Sequence, residues 1–103
     1  MNRQDRKDLQ NIGLMLQQAY DKLQEVYDIL SDATEQIEYI KDSEQDKYDN
    51  APESLQESER YQTIYDGIDT LQDLYDSIEE LQSSIEDVQS NIEDVESHDA
   101  FSL

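Results

Sequence analysis

The chain has 103 residues, 27 acids against seven bases, and a formal net charge of −20. That charge excludes direct binding to nucleic acid or to an anionic membrane, since both repel it, and a basic protein surface is its natural complement. With no cysteine, two glycines, one proline and 35% hydrophobic residues, disulfides and thiol chemistry are excluded and a sheet protein is not expected.

From Leu9 onward the apolar residues recur at alternating steps of three and four, which is the pattern of a helix with a coiled-coil seam. The first helix is expected over about residues 3–49. Its first seam row is Leu9, Leu16, Leu23, Leu30 and Ile37, and its second is Ile12, Ala19, Val26, Ala33 and Ile40. Asp49-Asn-Ala-Pro-Glu-Ser54 then interrupts the pattern. Pro52 disfavours helix at Ala51 and suits the first turn of a new helix. The turn is placed at about 50–54. Asn50 with Glu53, or Ser54 with Glu57, would cap the second helix.

That second helix, over about 55–97, repeats one seven-residue phrase. Ser77-Ile-Glu-Glu-Leu-Gln-Ser83 is followed by Ser84-Ile-Glu-Asp-Val-Gln-Ser90 and Asn91-Ile-Glu-Asp-Val-Glu-Ser97. Its seam rows are expected to be Ile64, Leu71, Ile78, Ile85 and Ile92 with Gly67, Leu74, Leu81, Val88 and Val95. Each helix would run about 60–70 Å at 1.5 Å per residue. Residues 98–103, with the sole histidine His98, read as a frayed tail.

Folding the second helix back at Pro52 pairs residues whose numbers add to 104. Leu9 meets Val95 and Ile40 meets Ile64. Small residues meet large ones, as Ala19 does Ile85. Near the turn the same register pairs Glu44 with Arg60 and Lys47 with Glu57, and at the far end Arg3, Arg6 and Lys7 fall beside Glu93, Asp94 and Glu96. A register slipped by one heptad keeps the apolar seam and loses both charge pairs near the turn. The expected fold is a single all-α domain, an antiparallel two-helix coiled-coil hairpin.

A hairpin with only a seam buries little. Tyr20, Tyr27 and Tyr48, with Tyr61, Ile68 and Tyr75, form a flanking stripe that suits partly wet contact. Two hairpins packed there would make a homodimeric four-helix bundle. The same stripe could instead dock another protein. On the other flank Met15 and Ile29 face Thr70, Ser77, Ser84 and Asn91.

The outer rows are acidic. Asp66, Asp73, Glu80, Asp87 and Asp94 share one row of the second helix, widened by Glu79, Glu86 and Glu93. Asp21, Asp28, Glu35, Asp42 and Asp49 share one row of the first. Where the helices overlap, the charge approaches about one per 2 Å, against about 1.7 Å in duplex DNA. A merely solvated surface is the plainer reading, but ordinary coiled coils mix Glu with Lys, because like charges at helical neighbours are destabilising. Paired acids such as Glu79-Glu80 have no pocket or converging carbonyls, so neither a hard-cation site nor acid/base catalysis is expected. No cofactor and no enzymatic activity are expected. No apolar stretch has membrane-spanning length and none is typical of a signal peptide, so a cytoplasmic protein is the default expectation.

Through Tyr48-Asp-Asn-Ala-Pro-Glu-Ser-Leu-Gln-Glu-Ser-Glu-Arg60 and the acidic heptads after it, the chain resembles small uncharacterised acidic proteins of phages, prophages and other mobile elements of Gram-positive bacteria. The resemblance implies no activity, but it implies a setting in which small acidic proteins often inhibit host nucleic-acid enzymes, including as DNA mimics. Length and topology are also similar to the helical-hairpin partners of type VII secretion. The hallmark Trp-x-Gly turn is absent, while Tyr65-Asp-Gly-Ile-Asp69 and Tyr75-Asp-Ser-Ile-Glu79 fit the Tyr-x-x-x-acid signal. The expected function is a protein-binding inhibitor whose acidic rows occupy the basic surface of a DNA-binding or nuclease protein. The alternative is a structural or chaperone-like adaptor.

Overall fold

The computed structural model describes residues 1–55 and 58–103. Two long helices pack as a hairpin, α1 (Arg3–Asp49) and α2 (Glu59–Glu96), and there is no strand among the described residues. No helix of the described residues is long and apolar enough to cross a membrane.

Local chemistry explains where the helices begin and end. Asn2 starts α1, its side-chain oxygen accepting the Asp5 backbone N–H at 2.8 Å. At the other end the Asn50 side chain donates to the Asp46 carbonyl at 2.8 Å. The chain then makes a short 3₁₀ turn, Glu53–Leu55, closed by the Leu55 N–H on the Pro52 carbonyl at 2.8 Å. The connection is therefore longer than the expected 50–54. α2 is opened by neither Asn50 nor Ser54 but by Ser58. The Ser58 hydroxyl accepts the Tyr61 N–H at 3.3 Å and donates to the Leu55 carbonyl at 2.6 Å. Glu57, expected as a capping partner and as the mate of Lys47, lies outside the described residues.

Packing divides the described chain into two compact units. One comprises Met1–Ile29 with Gln82–Leu103, the other Leu30–Leu81. In the first, Leu9, Leu16, Leu23, Tyr20 and Tyr27 of α1 are half-buried against Gln82, Ile85, Gln89 and Ile92 of α2. The tail is not frayed. His98 Nδ1 accepts the Ala100 N–H at 3.0 Å and opens a 3₁₀ turn, Asp99–Ser102. Phe101 is half-buried there, its ring edge 3.9 Å from where a Cβ on Gly13 would stand. In the second unit Ile37 is buried, with Leu30, Tyr48, Tyr61, Ile68, Leu71 and Tyr75 half-buried.

The seam differs from the expected one by a rotation of both helices. Leu9 through Ile37 and Ile64 through Ile92 face inward as expected, but the second rows do not. Ile12, Val26, Ile40, Leu74, Leu81, Val88 and Val95 stand 44–51% exposed. The rows one residue later, holding Tyr20, Tyr27, Tyr48, Tyr61, Ile68 and Tyr75, take their place. A seven-residue repeat divided four-then-three fits a helix as well as one divided three-then-four. At Tyr20, Tyr27 and Tyr48 size favours the exchange, because a tyrosine covers more surface than Ala19 or Val26 and keeps its hydroxyl at the rim. Where the same row holds Gln82 and Gln89 in place of Leu81 and Val88, size does not account for it.

Register differs too. Within the first unit Gln82 reaches Tyr27 and Gln89 reaches Tyr20, and within the second Tyr48 stacks on Tyr61, each pair adding to 109. Gln89 to Gln24, Lys41 to Gln72 and Tyr48 against Tyr65 each add to 113. The centre lies near 111, one heptad from the expected 104. The Glu44–Arg60 pair does not form. Glu44 binds Lys47 at 2.9 Å instead, and that is the one ion pair among the described residues, so Arg3, Arg6 and Lys7 do not pair with Glu93, Asp94 or Glu96. The physical reason is the longer connection ending at Ser58, and in this register two buried glutamines find acceptors on α1.

Candidate partner-binding surfaces

The acidic surface is built on α2. Its heptads place Asp66, Asp73, Glu80, Asp87 and Asp94 on the row pointing away from α1, with Glu79, Glu86 and Glu93 on the row that flanks the seam. All eight are exposed. Asp66, Asp73, Glu79 and Glu80 belong to one packed unit, and Glu86, Asp87, Glu93 and Asp94 to the other. On α1, Asp21, Asp28, Glu35, Asp42 and Asp49 are exposed as well.

Two of these carboxylates are tied to the seam by tyrosines. The Glu93 carboxylate accepts from the Tyr20 hydroxyl and holds that phenol above its ordinary range. Glu79 does the same to Tyr75 from one helical turn away. A phenol bonded to an anion resists becoming a second anion. Tyr61 is hydrogen-bonded to Tyr48, whose ring it stacks on at 4.0 Å and 17°, and is pushed up to about 12. The six residues expected as an outer docking stripe thus form half of the intramolecular seam.

Spacing along each helix also contains a ladder that heptad counting passes over. Gln4 donates to Asp8, Gln17 to Asp21, Gln24 to Asp28 and Gln45 to Asp49 on α1, at 2.9–3.1 Å. Gln62 donates to Asp66 and Gln72 to Asp76 on α2, at 3.0 and 2.9 Å. Each Gln–Asp pair four residues apart stabilises a helix by about 0.2–0.5 kcal/mol. Lysine would do the same and cancel the charge, whereas glutamine leaves the charge in place. The signal is legible as Gln-x-x-x-Asp.

Gln82 and Gln89 are the other residues that pattern reading missed. Both sit in the inner row of α2 and are buried. Gln82 Nε2 donates to the Tyr27 carbonyl at 3.2 Å, and Gln89 Nε2 to Gln24 Oε1 at 3.1 Å and the Tyr20 carbonyl at 3.4 Å. They satisfy themselves on α1 and so belong to the fold. In the other unit Lys41 donates to Gln72 at 2.6 Å and lies 6.0 Å from the Tyr75 ring centre. His98 caps the final turn.

Compared with protein-family models, with curated proteins and with solved structures, the chain matches none. Any functional reading rests on these surfaces.

Proposed function

We propose that this chain is a non-enzymatic inhibitor that presents its helical carboxylates to the basic, nucleic-acid-binding surface of a DNA-processing or defence protein, as a DNA mimic. The observation that carries the reading is that its acids are braced without being neutralised. Six aspartates take glutamine rather than lysine as helical partner, and one ion pair is formed among the described residues. Solubility alone asks for a net charge of about 2–8 in magnitude on a small domain, well short of −20, and Glu–Lys pairs would stabilise the helix without the excess. A surface that must bind a cationic groove gains from that excess. The likeness of the Tyr48–Arg60 segment to mobile-element proteins supports the same setting, a target in the cytoplasm of a host cell.

The reading is tested by immobilising the chain, passing host lysate over it at about 50 mM salt, where electrostatic association is strong, and challenging what binds with short duplex DNA. Mimicry predicts basic DNA-binding proteins that duplex DNA displaces and that salt releases. Proteins held through high salt and unmoved by DNA would replace it with the adaptor reading.

A further inference from the structure

We infer that a second copy of this chain covers the exposed apolar rows of α1 and α2, and that the dimer forms there rather than on the tyrosines. In the unit of Met1–Ile29 and Gln82–Leu103 the row comprises Ile12, Val26, Val88 and Val95. In the unit of Leu30–Leu81 it comprises Ile40, Leu74 and Leu81. All seven are 44–51% exposed although they keep heptad spacing. Equivalent heptad rows of two antiparallel helices emerge on the same side, because the twofold axis relating the helices is perpendicular to the plane they share. Each unit therefore offers a two-helix apolar face.

The distribution of acids selects the occupant. From residue 9 to 43 and from 60 to 95, no Asp or Glu stands in these rows or in the rows bordering them away from the seam. The bordering rows hold Met15 and Ile29 on α1, 65% and 67% exposed, with the cation Lys22 between them, and Thr70, Ser77 and Ser84 on α2. Every acid in those stretches lies on the outward or opposite rows. A basic partner would gain from carboxylates around the apolar strip. A partner as acidic as this chain needs them absent, and the partner that shares both the charge and the seven-residue period is the chain itself. Small Thr and Ser beside large Met and Ile give a self-complementary face room to interlock.

The area agrees. The chain exposes 7878 Å², while a compact monomer of its 12.1 kDa mass exposes about 6,000 Å². Among the described residues no side chain is fully buried, and only Ile37 and Ile85 are buried apolar residues.

The test is sedimentation equilibrium of the full chain and of Leu74→Glu/Val88→Glu, with helicity followed by circular dichroism. The expected result is a dimer for the unaltered chain and a helical monomer for the variant. An unaltered chain that stays monomeric at millimolar concentration overturns the inference, and so does a variant that stays dimeric. Should the double variant lose its helices, Val88→Cys alone keeps the question open to measurement. Its thiol is expected to react with maleimide at least tenfold more slowly when concentrated than when dilute. A rate independent of concentration rejects the interface.

Discussion

Gln82, buried on α2, donates to the backbone carbonyl of Tyr27 on α1 at 3.2 Å. Repeating heptads look alike after a slip of seven residues, so the apolar seam cannot choose among registers. A buried polar amide that must find acceptors on the facing helix can help to. Gln82→Leu together with Gln89→Leu should therefore raise the melting temperature while loosening register. The expected gain is about 1 kcal/mol, or roughly 4–8 °C for a domain of this size. Spin labels at Glu25 and Asp87 should give one distance in the unaltered chain. The variant should add a second, longer distance, because a one-heptad slip moves the opposed labels about 10 Å apart along the helix axis. A single unchanged distance in the variant would show that the glutamines do not set the register.

Gly67 lies within α2 with a helical backbone and nothing within 4 Å of where its Cβ would be. Glycine in such a place costs about 0.5–1 kcal/mol relative to alanine. Gly67→Ala should raise the melting temperature by several degrees. A decrease would mean that another surface approaches this backbone closely.

Tyr27 and Tyr75 are half-buried between the helices. Tyr27→Glu with Tyr75→Glu should thus unfold the hairpin, with loss of helical circular dichroism, and not merely separate two copies. Variants that remain fully helical would return these tyrosines to an outer surface.

Alkaline pH should destabilise the fold through the same residues. Tyr20, Tyr61 and Tyr75 are raised above the ordinary 10.0, Tyr61 to about 12. A phenol that holds its proton more tightly when folded contributes stability that is complete below pH 10. That contribution is lost as the pH climbs towards 12. Melting temperatures should be flat between pH 8 and 9.5 and fall above pH 10, and tyrosinate absorbance should show a late-titrating group. All seven tyrosines titrating together near pH 10 would contradict the Tyr48–Tyr61 and Tyr20–Glu93 contacts.

Particular residues show how far the fold could be read in advance. The span of α1 was legible because its heptads run unbroken until Asp49-Asn-Ala-Pro interrupts them. The choice of inner row was not, because Ala19 and Tyr20 both keep the period and only packing weighs their sizes. Register was hidden for two reasons: seven-residue repeats are degenerate, and Ser58, not an earlier residue, caps α2. The ordering of the tail by Phe101 near Gly13 and by the His98 cap left no periodic trace. The acidic rows were legible in full. Their bracing by glutamine was written in the sequence as Gln-x-x-x-Asp, but heptad counting passes over a four-residue spacing.

The most direct measurement of the central claim compares two charge-neutral sets in binding to a basic protein that duplex DNA displaces from the immobilised chain. Asp73→Asn, Glu80→Gln and Asp87→Asn alter the outward row of α2, and Glu35→Gln, Asp42→Asn and Asp49→Asn remove the same charge from α1. None of the six lies in the seam, and all are exposed. The account predicts that the α2 set weakens binding about tenfold or more and makes its salt dependence shallower, because fewer carboxylates meet the partner. An equal loss from the α1 set, which includes the glutamine-braced Asp49, would show that the partner meets the charge of both helices and not the α2 row in particular. Unchanged affinity in the folded α2 variant would contradict the account and leave the acidic surface to solubility alone.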